Sequence, residues 1–328
     1  MRIGFTYDLL DEHLAGGLTP EEAAEFDKPE TMDAIEGALR DLGHDIDRIG
    51  GLDRLVKRLA GGASWDLVFN IAEGVRGAAR EAQIPALLEA YGIPATFGDS
   101  LCLALCLHKG HAKRIVRDQG IPTPGFAVVA EPETEPAGLD LAFPLFVKPV
   151  AEGTGKGVSA RGLVREPAEL PGICRELISV HRQPVLVEEY LPGREFTVGV
   201  VGTGRKARVI GVMEVRLLPA AEPGAYTFGN KAQYLNRVDY RLAGDSEARE
   251  AGGIALAAYR LLGCRDGGRA DLRSDGAGHP QFMEMNPLAG LHPEHSDLPI
   301  LCRLAGIGFP RLIAEILASA RERTREGE

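Results

Sequence analysis

Residues 269–286 read RADLRSDGAGHPQFMEMN, two alternating stretches on either side of a turn rich in Gly and Asp. Successive side chains of a β-strand point to opposite faces, so Glu284 and Asn286 would share one face. Folding the two arms about the turn brings Asp271 roughly opposite the Met283/Glu284 pair. The stretch therefore predicts a β-hairpin that gathers two carboxylates, an amide oxygen and an arginine on one face.

Donor groups of this kind leave two interpretations of the hairpin. Ligands that are all oxygen suit Mg²⁺ or Mn²⁺, and such a site usually completes its shell with water and substrate phosphates. A solvent-facing hairpin with scattered polar residues would give the same pattern. Four of the eight histidines lie in the pairs His108/His111 and His292/His295, and because neither pair has a cysteine or a further histidine in register, we expect no zinc site.

A second polar stretch is AEGTGKG at residues 151–157. Its three glycines would expose successive backbone N–H groups, a concavity that suits phosphate. It is not a Walker A loop, because Gly157 stands where Ser or Thr is needed and a strand is expected to follow. Lys148, which ends the apolar stretch LFVKP, would meet a phosphate as a point charge. A flexible turn and a surface lysine are the alternatives.

The order of elements predicts the fold class. In the first third, short apolar strands alternate with helices, which predicts a parallel sheet with ligands at the carboxyl ends of its strands. The rest of the chain is predicted to be mixed and largely antiparallel. Strands are predicted at 2–7, 45–49, 66–71, 92–97, within 121–129, at 144–149, 157–163, 184–189, 195–201, 209–217 and in the hairpin. Helices are predicted at 29–42, 52–59, 79–91, 99–120, 166–180, 246–262 and 310–321. A Pro/Glu-rich connector is expected at 131–140 and an irregular polar loop at 220–237.

Composition excludes several classes of protein. The 328 residues are 45% hydrophobic and 26% charged, as in a globular protein, and the net charge of −10 argues against a nucleic-acid partner. The five cysteines are odd in number and scattered, so we expect no disulfide framework and interpret Cys102 and Cys106 as buried thiols. No run approaches the ~18 apolar residues of a membrane span, and a signal peptide is not recognisable. We expect a cytoplasmic protein with no membrane partner.

Taken together, the motifs resemble the ATP-grasp fold, and more specifically the D-alanine–D-alanine ligases. The likeness covers nearly the whole chain, and the ordered set favours the metal interpretation of the hairpin. Its features, in order, are AQIPALLEAYGIPATFG, Lys109, Lys148 with the Gly-rich loop, the connector VLVEEYLPGREF, and the cluster of Asp271, Glu284 and Asn286. The resemblance implies an α/β chain: an N-terminal parallel α/β domain (1–97), then an ATP-grasp module of two α+β subdomains (98–183 and 184–328).

The resemblance also implies roles for individual residues. ATP would be held by Lys109, Lys148, Glu152, Gly153, Thr154, Gly155, Gly157, Glu188, Glu189, Tyr190, Leu191, Glu195 and Lys231. Two Mg²⁺ ions, with Mn²⁺ as a substitute, would be held by Asp271, Glu284 and Asn286. The catalytic residues would be Arg269 and the backbone of Gly290, which stabilise an oxyanion, and Thr154, which replaces the loop serine of the family. Ser296 would bind the carboxylate of the attacking amino acid.

Several positions depart from the family pattern, and they concern the first substrate. The N-terminal GGxSxE pattern is missing, and TYDLLDEHLAGGLTPEEAAEFDKPET stands in its place. The HG turn after the third strand is NIAEG, with Glu73, and Ala232 replaces the tyrosine after Lys231. The run NTxPG has become NPLAG.

Three hypotheses about function follow. The first is an ATP-dependent carboxylate–amine ligase that joins two amino acids through an acylphosphate, with a first substrate that the sequence does not identify and that need not be D-alanine. The second is a D-alanine–D-alanine ligase of peptidoglycan synthesis, in which Glu73 replaces the missing glutamate and binds substrate together with Arg269 and Ser296. The third is a non-catalytic nucleotide-binding protein. The resemblance further suggests a homodimer that acts on small amino acids.

Overall fold

The computed structural model describes residues 1–131, 140–222 and 224–326. Their strands are β1 (Arg2–Thr6), β2 (Asp45–Arg48), β3 (Leu67–Asn70), β4 (Phe126–Val129), β5 (Leu145–Pro149), β6 (Leu163–Val164), β7 (Val185–Glu189), β8 (Glu195–Val201), β9 (Arg208–Leu217), β10 (Val238–Leu242), β11 (Gly267–Ser274) and β12 (Pro280–Asn286). Within these ranges the strands form three sheets, ordered β2-β1-β3, β4-β7-β5-β6 and β10-β9-β8-β11-β12. We call them the N-terminal, central and C-terminal sheets.

The helices complete the mixed α/β architecture that the sequence predicts. They are α1 (Leu10–Ala15), α2 (Pro29–Asp41), α3 (Leu52–Ala60), α4 (Gln83–Ala90), α5 (Ser100–Leu107), α6 (Lys109–Asp118), α7 (Leu170–His181), α8 (Phe228–Ala232), α9 (Tyr234–Arg237), α10 (Ser246–Leu261), α11 (Asp297–Leu304) and α12 (Phe309–Glu326). Among the described residues, none of the helices is long and apolar enough to cross a lipid bilayer.

The N-terminal sheet is parallel, as predicted, but the prediction of a fourth strand at residues 92–97 is wrong. Residues 92–97 contribute only an isolated bridge between Val68 and Ala95. Phe97 has a φ of 70° and donates its backbone N–H to Asp266 at 2.8 Å, which turns the chain away from the sheet. Proline at position 94 has no N–H for a longer ladder.

The central sheet is antiparallel, and two expectations change there. The predicted strand 157–163 is wrong, because Gly157 has a φ of 70° and residues Ala160–Gly162 form a 3₁₀ turn, so that β6 begins only at Leu163. Strand β7, assigned by sequence to 184–328, pairs with β4 and β5 instead. We therefore propose domain boundaries near residues 97 and 190. Residues 132–139 of the predicted connector lie outside the described residues.

The C-terminal sheet is antiparallel and contains the predicted hairpin as β11 and β12. The polar segment 220–237 is not irregular throughout, because it forms α8 and α9. Thr227 caps the N-terminus of α8, because its hydroxyl accepts a hydrogen bond from the backbone N–H of Asn230 at 3.1 Å. Strand β10 and helix α11 were not predicted, since both lie beside polar stretches without a clear periodicity.

Helices from one part of the chain pack on the sheet of another. Buried residues of α12, such as Ile313 and Ile316, share a core with Phe69 of the N-terminal sheet. The predicted helix 99–120 is broken at His108, and α5 and α6 pack on the C-terminal sheet. Cys102 and Cys106 are buried there, as predicted. Tyr7 and Ile71, which follow β1 and β3, share this core with Leu288 and Leu291, which follow the hairpin.

Candidate active site

The register of the hairpin determines which side chains meet. Asp271 of β11 lies directly across from Glu284 of β12, and Arg269 lies across from Asn286. A bulge after Asp271 leaves Met283 as the extra residue of β12. Bulges re-aim side chains and are frequent beside active sites. The four polar residues predicted from the alternating pattern therefore do lie together.

The carboxyl group of Asp271 has a pKa above its ordinary value. Its carboxylate contacts the Arg269 guanidinium and accepts a hydrogen bond from the Thr197 hydroxyl at 2.8 Å. The side-chain amide of Asn286 lies 3.3 Å away. Burial nevertheless raises the pKa of Asp271, and Glu284 raises it further, although Arg269 opposes them. An added cation would relieve this repulsion.

Glu284 has the opposite environment. Its carboxylate lies 3.4 Å from the Lys109 ammonium. Burial alone would raise the pKa of Glu284, but Lys109 and Lys148 hold it well below its usual range, so the group is ionised. Two buried carboxylates with a neighbouring amide are the oxygen donors that a hard divalent cation prefers. The residues present therefore fit a Mg²⁺ site.

Lys148 belongs to a buried ion-pair triad. The Glu188 carboxylate lies 2.7 Å from the Lys148 ammonium and 2.9 Å from that of Lys113. Burial alone would raise the pKa of Glu188, but the two lysines lower it. Glu188 lies across from Phe146 of β5, and Lys148 is two residues further along that strand. Residues two apart share a face, so Glu188 and Lys148 lie on the same face of the central sheet. Lys113 carried no signal in the sequence beyond that of an ordinary helix residue.

The Gly-rich loop is docked onto the N-terminal part of the chain. The backbone N–H of Gly153 donates to the Glu25 carboxylate at 2.5 Å. The Lys156 ammonium lies 3.0 Å from Glu25 and 2.7 Å from Glu152, and Arg80 lies 3.0 Å from Glu25. Glu25, Lys156 and Arg80 were not predicted, because their segments show no pattern that links them.

The backbone of this loop has the conformation that its glycines allow. Thr154, Gly155 and Gly157 have φ values of 51°, 75° and 70°. A side chain at Gly155 would meet the backbone nitrogen of Phe228 at 3.2 Å. The loop therefore lies directly against α8, the helix that carries Lys231.

A cavity of about 90 Å³ lies between the central and C-terminal sheets, and we call it the nucleotide-side cavity. Its predicted lining residues are Lys109, Lys148, Glu152, Gly155, Glu188, Glu189, Tyr190, Leu191, Glu195, Lys231, Asp271 and Glu284. The Glu189 carboxylate accepts a hydrogen bond from the Ala142 N–H at 2.9 Å. The Tyr190 hydroxyl donates to the Gly224 carbonyl at 2.9 Å. Burial raises the pKa of Glu195, with Arg273 opposing it.

A larger cavity of about 640 Å³ lies on the other side of the hairpin, and we call it the amino-acid-side cavity. It shares Lys109, Glu152, Lys231 and Glu284 with the nucleotide-side cavity. Predicted residues among its lining are Glu73, Glu152, Gly153, Thr154, Arg269, Asn286, Gly290 and Ser296. The Ser296 hydroxyl accepts a hydrogen bond from the backbone N–H of His292 at 2.9 Å. A side chain at Gly290 would meet that hydroxyl at 2.9 Å.

Besides Glu25, three carboxyl groups of the N-terminal part of the chain line the amino-acid-side cavity: Asp27, Glu73 and Glu81. Burial raises the pKa of Asp27 and of Glu81 to about 7, and raises that of Glu73 well above its ordinary value. Only Glu73 was predicted here. Asp27 and Glu81 lie in segments that have no recognisable motif.

Replacing Asp27 by asparagine should flatten the pH dependence of stability. Burial, with Asp8 nearby, raises the pKa of Asp27 from 3.8 to about 7 in the folded chain. Between those values the folded chain binds the extra proton, so Asp27 contributes stability at low pH that is lost as the pH rises toward 7. Urea unfolding of both proteins from pH 4 to 8 measures this. Equal slopes for variant and wild type would contradict it.

Comparisons with known proteins agree with this geometry. The family model described as the D-ala D-ala ligase C-terminus matches residues 115–318. An uncharacterized protein of Sinorhizobium fredii is 32% identical over 321 residues, 93% of this chain and 91% of that protein. A D-alanine–D-alanine ligase of Alcanivorax borkumensis is 31% identical over 320 residues, 95% of this chain and 94% of that protein.

The fold is also similar to solved structures. The D-alanine–D-alanine ligase of Bacillus anthracis complexed with ATP superposes with a TM-score of 0.74 at 23% identity, with all of both chains covered. The VanG D-Ala:D-Ser ligase of Enterococcus faecalis gives a TM-score of 0.73 at 21% identity, with 97% of this chain and 99% of that chain covered. Together with the matched family model, these similarities identify the chain as a member of the D-alanine–D-alanine ligase family: an ATP-dependent ligase with the ATP-grasp fold.

Proposed function

We propose that this protein joins the carboxylate of one amino acid to the amine of another, through an acylphosphate formed from ATP. The observation that carries the proposal is the position of Glu284 and the lysines around it. Glu284, Lys109 and Lys231 border both the nucleotide-side and the amino-acid-side cavities. A phosphoryl group that leaves the first cavity would therefore enter the second at these residues.

Asp271, Glu284 and Asn286 would hold Mg²⁺, with two ions as the family resemblance implies and Mn²⁺ as a substitute. When bound, the metal supplies charge neutralisation for the phosphates of ATP. Lys148, fixed by Glu188 at 2.7 Å, would add a positive charge on the nucleotide side. Backbone N–H groups of the Gly-rich loop and Lys231 would bind phosphate oxygens.

The reaction would proceed in two steps. In the first, a carboxylate oxygen of the acyl substrate forms a bond to the γ-phosphorus of ATP as the bond to ADP breaks. In the second, the amine attacks the carbonyl carbon of the acylphosphate, loses a proton, and expels inorganic phosphate. Arg269 and the backbone N–H of Gly290 would stabilise the oxyanion of the tetrahedral intermediate, and Ser296 would bind the carboxylate of the amine substrate.

Water must be kept from the acylphosphate, since hydrolysis would waste ATP. The contact between the Gly-rich loop and α8, close at Gly155 and Phe228, supports a closed cover over the site. The hydroxyl of Thr154 would lie on the amino-acid side of this cover. We place the reaction in the cytoplasm, with free amino acids as substrates, and expect a homodimer, which sedimentation would measure.

The test is ADP release in a screen of D- and L-amino acids with Mg²⁺ and ATP. We expect ADP release that needs both an acyl and an amine substrate, and a dipeptide detectable by mass spectrometry in equal amount. Because named relatives are D-alanine–D-alanine ligases, D-alanine as both substrates is the second candidate. Activity with D-alanine alone would favour it, and activity with another acid would favour a changed first substrate. ADP release without any dipeptide would contradict the proposal.

A further inference from the structure

The N-terminal end of the amino-acid-side cavity has more carboxyl groups than its own cations pair with. Arg80 and Lys156 both pair with Glu25, and Lys156 also pairs with Glu152. These contacts occupy Arg80 and Lys156, whereas Lys28, which also lines the cavity, is exposed. In the described part of the chain, no basic nitrogen lies within 4.0 Å of the carboxylates of the remaining acids, which are Asp27, Glu73 and Glu81.

Glu81 is the most informative of the three. Its side chain lines the cavity beside Cys106 and Leu107, yet the residue is only 9% exposed. Its carboxylate accepts no hydrogen bond from any described residue. Burying an unpaired carboxylate is costly, so it either keeps a proton or meets a cation that the protein does not supply. Its position on the cavity wall indicates that the missing cation belongs to a ligand.

The charge count separates two kinds of acyl substrate. A neutral amino acid such as alanine brings one ammonium group and would leave two of the three acids without a countercharge. An amino acid with a basic side chain brings two cations. The cavity volume of about 640 Å³ lies near the middle of the range of about 300–1,000 Å³ for ligand pockets, which leaves room for a long side chain.

We infer that the acyl substrate is a dibasic amino acid, whose α-ammonium and side-chain cation bind to Asp27, Glu73 and Glu81. This inference rests on the proposed ligase function. The three acids belong to the N-terminal part of the chain, whereas Arg269 and Ser296 belong to the C-terminal part, so we assign the acids to the acyl substrate. The amine substrate, which must attack as a neutral amine, would occupy the end with Ser296.

The test compares lysine with norleucine, which has the same chain length but no side-chain amine. Both are offered as acyl substrate, in D and L forms, with the amine partner held constant. Hydrogen bonds to charged groups contribute about 1.5–3 kcal/mol, so kcat/KM for ADP release should be about 10- to 100-fold higher with lysine. Ornithine and norvaline repeat the comparison at a shorter length. Equal kcat/KM values within both pairs would overturn the inference.

Two variants connect this preference to the cavity. Glu81→Gln keeps the shape and removes the charge, so it should reduce the ratio of lysine to norleucine activity at least about tenfold. Glu21→Gln, at an exposed position outside the cavity, should keep the wild-type ratio. An unchanged ratio in Glu81→Gln would overturn the assignment of Glu81.

Failure of this inference can be told from failure of the proposed function. If the protein ligates alanine and shows no preference for dibasic amino acids, the inference is overturned and the ligase proposal stays intact. If no amino acid supports ligation, the ligase proposal fails. The midpoint of thermal unfolding with lysine or norleucine present then tests separately whether the acidic site binds a dibasic amino acid. A midpoint raised by lysine but not by norleucine would support the acidic site, and equal shifts would overturn it.

Discussion

Replacing Glu284 by glutamine is expected to lower the rate of ADP release about 1,000-fold, because a bound Mg²⁺ supplies several kcal/mol of charge stabilisation and each 1.4 kcal/mol is tenfold in rate. Glutamine keeps the size of the side chain and removes its charge. The expectation rests on the proposed role of Glu284 across from Asp271. Initial rates at saturating ATP and amino acids, with Mg²⁺ varied, measure both kcat and the requirement for metal.

The control for this prediction is Glu294→Gln. Glu294 is an exposed glutamate on the segment that follows β12, so the same chemical change there should leave the rate within about twofold. Asp271→Asn should resemble Glu284→Gln, since both would remove one ligand of the same ion. Glu284→Gln with a rate close to the wild-type rate, at unchanged Mg²⁺ dependence, would refute the assigned metal site.

The hairpin was predictable because its information is local. Alternation along β11 and β12, with a short turn between them, leaves few registers open, and Asp271 meets Glu284 as expected. The bulge at Met283 was not predictable, since it depends on how β12 meets its neighbours. The Gly-rich loop was also recognised from local spacing, but the strand after it was placed six residues early, because the positive φ of Gly157 delays β6 to Leu163.

The acidic end of the cavity could not be read from the sequence. Glu25 contacts Gly153 across 128 residues of chain, and Arg80 reaches Glu25 across 55. Such pairs form only when separate parts of the fold pack together, and no local periodicity records them. Glu73 was singled out only because it replaces part of a family motif. Glu81 lies in the segment REA, which has no recognisable motif.

Replacing Glu188 by glutamine is expected to lower the free energy of unfolding by about 3–5 kcal/mol, the usual effect of breaking a buried ion pair by removing one partner. Two lysines depend on this carboxylate: Lys113, whose side chain is 0% exposed, and Lys148, at 8%. Without Glu188 both ammonium groups would be buried beside each other. Urea unfolding at pH 7 measures the loss.

The matched control is Glu176→Gln on α7. Glu176 pairs with Arg161 at 3.0 Å, but the two side chains are 51% and 82% exposed. Exposed pairs contribute about 0–1 kcal/mol, so this variant should be nearly as stable as the wild type. A double variant, Glu188→Gln with Lys113→Met, removes one of the stranded charges and should recover part of the loss. Equal effects of Glu188→Gln and Glu176→Gln would contradict the importance of the triad.

The pH dependence of the Glu188→Gln variant gives an independent check on the cause. Burial lowers the pKa of Lys113 from 10.5 to about 8 even with Glu188 present, and removing the carboxylate should lower it further. Above that lowered pKa the folded chain releases a proton that the unfolded chain still binds, so stability rises with pH up to about 10.5. The destabilisation caused by Glu188→Gln should therefore be smaller at pH 9.5 than at pH 7. A loss of packing alone would be the same at both pH values.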